Sequence, residues 1–186
     1  MLVADEQILK YAIIGSGMMG LEHIRNLIEI PNTQIVGVCD PHTPSLEKAR
    51  RALNRVEGVR YFSNFKDLLA NCDANVVVIA TPNHTHIDIA TEVMRTGKHL
   101  LIEKPLSASI DGVSSLLQIC RERRTVLMTG FNLRFLPSLQ RFRDLLGEGA
   151  IGRVLSIRCE VGQYLPAWRP NSDYRQGVSA RRELGG

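Results

Sequence analysis

The sequence contains little of what marks several common classes of protein. Aromatic residues make up only 5% of its 186 residues, and no basic stretch is interleaved with them, which disfavours a nucleic-acid-binding surface. The longest apolar runs are of strand length, so no segment is predicted to span a membrane. The formal net charge of +4 is small and mixed along the chain, which suits an anionic cofactor or substrate.

Cysteine is also scarce. Cys39, Cys72, Cys120 and Cys159 are widely spaced and form no C-x-x-C pair. Cys39, Cys120 and Cys159 fall on apolar faces of predicted elements, so we expect buried free thiols rather than metal ligands or disulfides. Together with an N-terminus that turns acidic too early for a signal peptide, this cysteine usage predicts a reducing, cytoplasmic location.

The first informative motif is a glycine-rich turn. An apolar run over 8–14 predicts a buried strand, which ends at a G-x-G-x-x-G motif, and a helical pattern follows at once. Gly15 is expected to form the tight turn, Gly17 to admit a pyrophosphate close to the backbone, and Gly20 to let the helix pack on the strand. Alone, the motif also fits a plain tight turn. As a cofactor loop it comprises Gly15, Ser16, Gly17, Met18, Met19 and Gly20.

An acidic residue supports the cofactor interpretation. A second apolar strand, 34–39, ends in Asp40, which lies 20 residues after Gly20. In a dinucleotide site this is where a carboxylate accepts hydrogen bonds from the adenosine ribose and disfavours a 2′-phosphate. We therefore expect NAD to be preferred over NADP, although His42 and Arg60 are cations that would offset the repulsion.

Strand and helix patterns alternate as far as Gly147, which predicts an α/β fold with a Rossmann doubly wound parallel sheet. Thr43 is interpreted as a helix N-cap because Pro44 follows it. Strands are predicted at 8–14, 34–39, 61–62, 75–80, 99–102 and 126–128, and helices at 18–30, 43–53, 64–69, 113–120 and 137–147. A further helix is predicted to open within 81–86 and to end at 96–97.

The pattern changes near Arg153. Apolar and polar residues alternate from Leu155 to Val161, which predicts a strand with one solvated face, as in an antiparallel sheet. We therefore place a dinucleotide-binding domain at 1–149 and the beginning of a second, incomplete domain at 150–186. An unpaired strand with an apolar face would also favour self-association.

Polar clusters follow several of the predicted strands. Because the carboxyl ends of parallel strands meet at one edge of the sheet, the clusters should converge on one crevice. They are the glycine loop, Asp40, 81–86, 103–105 and 132–134.

These motifs resemble the glucose–fructose oxidoreductase/inositol dehydrogenase (Gfo/Idh/MocA) family. The resemblance rests on the glycine motif, Asp40, T-P-N-x-x-H at 81–86 and E-K-P at 103–105. It implies an N-terminal Rossmann domain, a C-terminal α/β domain with an open, mostly antiparallel sheet, and NAD(P)-dependent oxidation or reduction of a sugar, cyclitol, nucleotide-sugar or related hydroxyl. It also implies that the complete protein is a homo-oligomer, a dimer or a tetramer, acting on a small molecule.

The resemblance assigns Lys104 as the catalytic residue. An ammonium group near the nicotinamide would position the substrate hydroxyl and stabilise developing alkoxide charge. A structural lysine paired with Glu103 or a phosphate is the alternative. Arg134 is assigned to the substrate, with a plain ion pair at a helix start as its alternative. Further cofactor-binding residues by this resemblance are Thr81, Pro82, Asn83, His86, Glu103, Lys104, Trp168 and Arg169.

Several interpretations stay open. His84 and His86 make a poor zinc site without further ligands, so no metal is expected. The family's D-x-x-x-H element, which by resemblance completes the catalytic centre, does not occur in this sequence. The chain would then be part of a longer enzyme or a truncated product, inactive alone. A non-catalytic NAD-binding or sensing protein and a methyltransferase are the competing functions.

Overall fold

The structure, a computed structural model, describes residues 8–168 and 173–184. None of the helices in these two ranges is long and apolar enough to cross a membrane. The elements are β1 (Leu9–Ile14), α1 (Met18–Glu29), β2 (Thr33–Cys39), α2 (Thr43–Ala52), β3 (Arg60–Phe62), α3 (Phe65–Asn71), β4 (Val76–Ile79), α4 (His86–Arg95), β5 (His99–Ile102), α5 (Val113–Arg123), β6 (Leu127–Thr129) and α6 (Pro137–Gly147). Short 3₁₀ turns lie at Asn83–Thr85, Asn132–Phe135, Leu165–Ala167, Tyr174–Gln176, Val178–Ala180 and Arg182–Leu184.

The six strands form one parallel sheet in the order β3-β2-β1-β4-β5-β6. This order reverses between β1 and β4, so the chain is doubly wound and the predicted Rossmann sheet is confirmed. At the centre, Ile13 of β1 pairs with Val38 of β2 and with Val78 of β4. The β1 and β4 strands are therefore surrounded on both edges, which suits their continuous apolar sequences.

Two hydrophobic layers cover the sheet, one on each face. Ile13 and Val78 point to the face covered by α1 and α2, where they pack with Ile24 of α1. Ala12 and Val77, each one residue away along its strand, point to the opposite face covered by α3, α4 and α5. Because alternate residues of a strand face opposite sides, both sides of β1 and β4 must be apolar, as the sequence is.

Local sequence signals place most element ends. Pro44 lies in the first turn of α2, but His42 and not Thr43 is the N-cap residue, so that prediction is wrong by one position. Thr43 already lies within the helix, since Pro44 fits either of the first helical positions. Asn64 caps α3 by accepting a hydrogen bond from the Lys66 backbone N–H at 2.8 Å.

The strand predicted from Leu155 to Val161 does not form. No strand is assigned between 154 and 164, and these side chains are exposed. A strand with one apolar face requires a partner strand, and none is adjacent in the described residues, so the period-two pattern is present without a sheet. The antiparallel sheet of a second domain is accordingly not shown.

The cysteine predictions are only partly correct. Cys39 is buried as expected, whereas Cys120 is half-buried and Cys159 is exposed. Cys159 lies in the segment that lacks a sheet partner, which explains why its apolar face is uncovered. Cys72 is buried, although no periodic pattern indicates this. Its Sγ donates to the carbonyl of Val36, 3.6 Å away, so it packs against β2.

Candidate active site

A cavity of about 1060 Å³ lies at the carboxyl ends of the central strands. This is the crevice at the topological switch point, where open α/β sheets bind ligands. The cavity is at the large end of the range for small-molecule and cofactor sites. The predicted site residues that line it are Gly15, Gly17, Met18, Met19, Asp40, Thr81, Pro82, Asn83, Glu103, Lys104 and Trp168.

The glycine loop behaves as its spacing predicts. Gly15 has φ +92°, and a Cβ there would meet the Ala80 carbonyl oxygen at 2.6 Å. A Cβ at Gly20 would lie 1.9 Å from the Gly15 carbonyl oxygen, so the helix packs here as closely as backbone allows. At Gly17, which lines the cavity, a Cβ would meet nothing within 4 Å. The loop therefore keeps an open cradle at the N-terminus of α1, a favourable place for an anion.

Asp40 is fixed by the glycine loop. The Ser16 backbone N–H donates to Asp40 Oδ2 at 2.7 Å, and the Ser16 hydroxyl donates to the same oxygen at 3.1 Å. The His42 backbone N–H donates to Asp40 Oδ1 at 2.9 Å. Ser16 is fully buried, so it lies behind the cavity wall and contacts the carboxylate rather than the open space. Asp40 itself is 9% exposed and borders the cavity.

Two further nitrogen-bearing side chains line the same cavity as Asp40. His42 lines it, and so does Lys66 at the start of α3, which sequence reasoning missed. Arg60, expected from the sequence to offset repulsion of a phosphate, is directed elsewhere. Its guanidinium donates to the Asn71 carbonyl and lies 5.4 Å from the Phe62 ring centroid. Arg60 does not border the cavity in the described part of the chain.

The T-P-N loop forms the wall opposite Asp40. After β4 the chain turns through a 3₁₀ segment, and the Thr81 and Thr85 hydroxyls lie 2.7 Å apart. The Thr85 hydroxyl also lies 2.7 Å from the Pro82 carbonyl. These contacts stiffen a loop whose Thr81, Pro82 and Asn83 border the cavity. Side-chain hydrogen bonds of this kind are common where a chain leaves a strand for a helix.

His86 has a different place from the one expected by resemblance. It is fully buried at the start of α4 and does not border the cavity. Its Nδ1 lies 2.9 Å from the Pro105 carbonyl oxygen and its Nε2 lies 2.9 Å from the Thr81 carbonyl oxygen. Both partners are carbonyl oxygens, so the ring N–H donates to one of them while the other ring nitrogen lies close to the second. His86 thus joins the T-P-N loop to the E-K-P loop.

The E-K-P segment follows β5 and carries Lys104 at the edge of the cavity. The Lys104–Pro105 peptide bond is cis. Glu103 is largely buried, and its Oε1 lies 2.8 Å from His23 Nε2. Glu103 Oε2 accepts from the Lys104 backbone N–H at 3.3 Å, whereas the ion pairs found in the described ranges include none to the Lys104 ammonium. Lys104 is exposed and is one of the residues that line the cavity.

His23 contacts the site through Glu103, although it belongs to none of the motifs found in the sequence. A signal was present, because His23 follows Gly20 by one helical turn and so lies on the same face of α1 as the glycine contact. That face is turned toward the strand ends, where a buried carboxylate is available. Val178 and Ser179 also line the cavity, and they belong to no motif that would have marked them.

The remaining predicted residues lie apart from the cavity or outside the described ranges. Arg134 lies in an exposed 3₁₀ turn after β6 and does not border the cavity in the structure as described. Arg169 lies outside the described residues. Trp168 does reach the cavity, which brings the C-terminal segment back toward the T-P-N loop.

The two histidines weighed as metal ligands do not meet. His84 is exposed and lines a separate cleft with Asp88 and Asp111, whereas His86 is buried. Across residues 8–168 and 173–184, no group of three or more histidine, cysteine or acidic side chains is arranged to hold a metal ion.

Taken together, the fold and the cavity define a dinucleotide-binding α/β domain. The observation that fits a dinucleotide is the open cradle at Gly17, placed between a fixed carboxylate and a helix N-terminus. Comparison with known proteins agrees. Residues 9–131 match the family profile described as oxidoreductase family, NAD-binding Rossmann fold. The chain belongs to this Gfo/Idh/MocA family.

The chain is also similar to individual members of this family. The chain is 32% identical to levoglucosan dehydrogenase of Pseudarthrobacter phenanthrenivorans over 178 residues, which cover 89% of this chain and 44% of the relative. It superposes on the WlbA dehydrogenase from Bordetella pertussis in complex with NADH and UDP-GlcNAcA with a TM-score of 0.73 and 27% identity, covering 82% and 43% of the two chains.

A third likeness is to the Lactobacillus casei scyllo-inositol dehydrogenase with bound NAD(H) and scyllo-inositol. The TM-score is 0.72 and the identity 26%, over 78% of this chain and 43% of that one. The chain therefore spans a little under half the length of each of these three relatives.

Proposed function

We propose that this chain is the cofactor-binding part of an NAD-dependent dehydrogenase that interconverts a hydroxyl and a keto group on a sugar, cyclitol or nucleotide-sugar. The observation that carries the proposal is the single cavity that collects the glycine cradle, Asp40, the T-P-N loop and Lys104. The names of the three relatives point to substrates rich in hydroxyl groups. The two relatives compared as structures both hold NAD(H).

The positions along the cavity assign roles to the chain's own residues. The cradle around Gly17 at the start of α1 would hold the pyrophosphate, and Asp40 the adenosine ribose. Thr81, Pro82 and Asn83 would border the nicotinamide end, with Trp168 on its outer side. When bound, the nicotinamide ring supplies the site that gains or gives up hydride.

Lys104 is the residue proposed to act on the substrate. Its ammonium group would donate a hydrogen bond to the reacting oxygen and stabilise the negative charge that develops there. Stabilisation that is larger in the transition state than in the ground state raises kcat rather than lowering KM alone. In the described residues no ion pair joins the Lys104 ammonium to Glu103, whose carboxylate contacts His23 instead. This arrangement supports the catalytic role over the structural one.

NAD rather than NADP is the proposed cofactor. The Asp40 carboxylate is held at the cavity wall by three donors, where its negative charge would face a 2′-phosphate. Of the cations expected to offset this repulsion, Arg60 donates to Asn71 instead. His42 and Lys66 line the cavity, and we expect them to limit how strongly NAD is preferred over NADP.

Residues 150–186 are proposed to begin a second domain that supplies the substrate wall, within a homo-oligomeric complete protein. Hydride transfer requires the substrate to be held over the nicotinamide with water excluded. The chain alone is therefore expected to bind cofactor without dehydrogenase turnover.

The test of the proposed reaction uses the full-length gene product. Turnover with NAD is measured on a panel of sugars and cyclitols, for the wild type and for Lys104→Ala. We expect a large loss of kcat in the variant, with the Kd for NAD changed by no more than a few fold. Lys66→Ala is the matched lysine control, since Lys66 at the start of α3 lines the same cavity but belongs to none of the motifs, and the variant should retain kcat. Near-normal turnover by Lys104→Ala would overturn the assignment.

A further inference from the structure

The contact between Ser16 and Asp40 bears on which dinucleotide the site accepts. Ser16 is the second residue of the glycine motif, and its side chain neither lines the cavity nor faces solvent. Its hydroxyl and its backbone N–H both donate to the same oxygen, Asp40 Oδ2. A residue that is buried and directed entirely at one carboxylate would influence a ligand only through that carboxylate.

The remaining oxygen of Asp40 is also restrained. Oδ1 accepts from the His42 backbone N–H at 2.9 Å. An ionised carboxylate offers about four acceptor positions, so these three donors leave about one. Rotation of the side chain away from the cavity would break all three hydrogen bonds. The negative charge is therefore held in one orientation before any ligand arrives.

A carboxylate held in one orientation matters more for rejecting a 2′-phosphate than for binding a ribose hydroxyl. A ribose hydroxyl can adjust to a carboxylate that moves, but a 2′-phosphate is rejected only if the carboxylate cannot turn away from it. The cavity offers such a phosphate an alternative, because His42 and Lys66 line the same cavity as Asp40. If Asp40 were mobile, the Lys66 ammonium and the His42 imidazole would be free to donate hydrogen bonds to the phosphate.

We propose that Ser16 is a specificity-determining residue that enforces NAD over NADP by locking the Asp40 carboxylate. The inference rests on the proposed NAD preference and names the residue that maintains it. Ser16 is a positioning residue, because it acts through Asp40 and does not itself line the cavity. The hydroxyl is the part that a substitution can remove, since the backbone N–H remains in any variant.

The test measures the ratio Kd(NADP)/Kd(NAD) by calorimetry on this chain. Ser16→Ala should lower the ratio about tenfold, the effect expected when a hydrogen bond to a charged group is removed. In an Asp40→Ala background the same substitution should leave the ratio unchanged, because the carboxylate is then absent. Ser109→Ala is the matched control, since Ser109 Oγ donates to Asp111 Oδ2 at 3.1 Å away from the cavity.

The outcomes separate this inference from the proposed function. Equal weakening of NAD and NADP binding in Ser16→Ala, with the ratio unchanged, would mean a purely structural role and would overturn the inference. Ser16→Gly provides a second variant without the hydroxyl, and loss of the fold in both variants would likewise show that the role is structural. A wild type that binds neither dinucleotide would instead overturn the proposed function.

Discussion

His23 Nε2 on α1 lies 2.8 Å from Glu103 Oε1 at the end of β5, and both side chains are largely buried. The contact joins the helix that follows the glycine loop to the segment that carries Lys104. Glu103 Oε2 also accepts from the Lys104 backbone N–H. One carboxylate therefore links the phosphate end of the site to the residue proposed to work on the substrate.

Loss of His23 should destabilise the fold. His23→Ala leaves Glu103 buried without its side-chain donor, and we expect the free energy of unfolding to fall by about 1–3 kcal/mol. Urea denaturation measures this. His23→Gln, whose amide can donate, should recover part of the loss. A change below about 0.5 kcal/mol for His23→Ala, typical of an ordinary surface site, would show that the contact does not contribute.

His86 should matter for both stability and ligand binding. His86→Leu keeps a similar volume but removes the imidazole contacts to the Thr81 and Pro105 carbonyls, which should lower the free energy of unfolding by about 1–3 kcal/mol. NAD affinity should weaken as well, since both joined loops border the cavity. The control is His84→Leu, because His84 is exposed and the change should stay within about 0.5 kcal/mol. Equal effects in the two variants would contradict the bridging role.

Two glycines of the same loop should separate folding from binding. Gly20→Ala places a Cβ 1.9 Å from the Gly15 carbonyl oxygen and should destabilise the domain by about 3 kcal/mol or more. Gly17→Ala meets no protein atom within 4 Å. Its stability should stay within about 1 kcal/mol of wild type, because a poorer N-cap and a less flexible unfolded chain offset each other.

The Gly17→Ala variant, which should fold normally, is expected instead to bind NAD more weakly. Gly17→Ala should weaken the Kd about tenfold or more, since its methyl group occupies the cradle left for the pyrophosphate. Thermal denaturation and calorimetric titration of the same samples provide both readings. A Gly17→Ala protein that binds NAD like the wild type would show that the pyrophosphate lies elsewhere.

Cys39 should make stability depend on alkaline pH. Burial, reinforced by the negative charges of Asp40 and Asp67, raises the pKa of the Cys39 thiol to about 12. The folded state thus holds this proton more tightly than the unfolded state, so the stabilisation is complete below the ordinary thiol pKa and is lost as pH rises toward the folded value. From about pH 9 upward the thiol should lower the free energy of unfolding by up to about 1.4 kcal/mol per pH unit.

Urea denaturation of wild type and Cys39→Ala across this range checks the slope, which should be shallower in the variant. Burial also raises the pKa of Cys72, so part of the slope should persist. Identical slopes in the two proteins would contradict a buried, protonated Cys39 thiol. Labelling with a thiol reagent provides an independent reading, in which exposed Cys159 reacts first and Cys39 only on unfolding.

Local pattern was sufficient for most of the fold and insufficient for the second-domain segment. Continuous β-branched runs such as Val76–Ile79 favour central parallel strands covered on both faces, and the sheet and its helices followed from the sequence within about three residues. The alternation from Leu155 to Val161 is equally regular, but a strand also needs a neighbour, which no local pattern supplies.

The candidate site was likewise predictable only in part. The spacing of Gly15, Gly17 and Gly20 specifies a backbone geometry, so their roles could be predicted from sequence. The motifs place Ser16 and His86 among the cofactor contacts, yet both are buried behind the cavity wall and act on other residues. Which buried donor meets which acceptor depends on packing between distant elements, and that is not encoded in the spacing of a motif.

The central claim is that the crevice at the strand ends of this chain binds NAD. The most direct measurement is a calorimetric titration of the purified wild-type chain with NAD, alongside S-adenosylmethionine, which a methyltransferase would bind at a similar glycine loop. We predict one saturable site for NAD, weakened in Gly17→Ala, and no binding of S-adenosylmethionine. Absence of NAD binding by the folded chain, or tighter binding of S-adenosylmethionine, would contradict the claim.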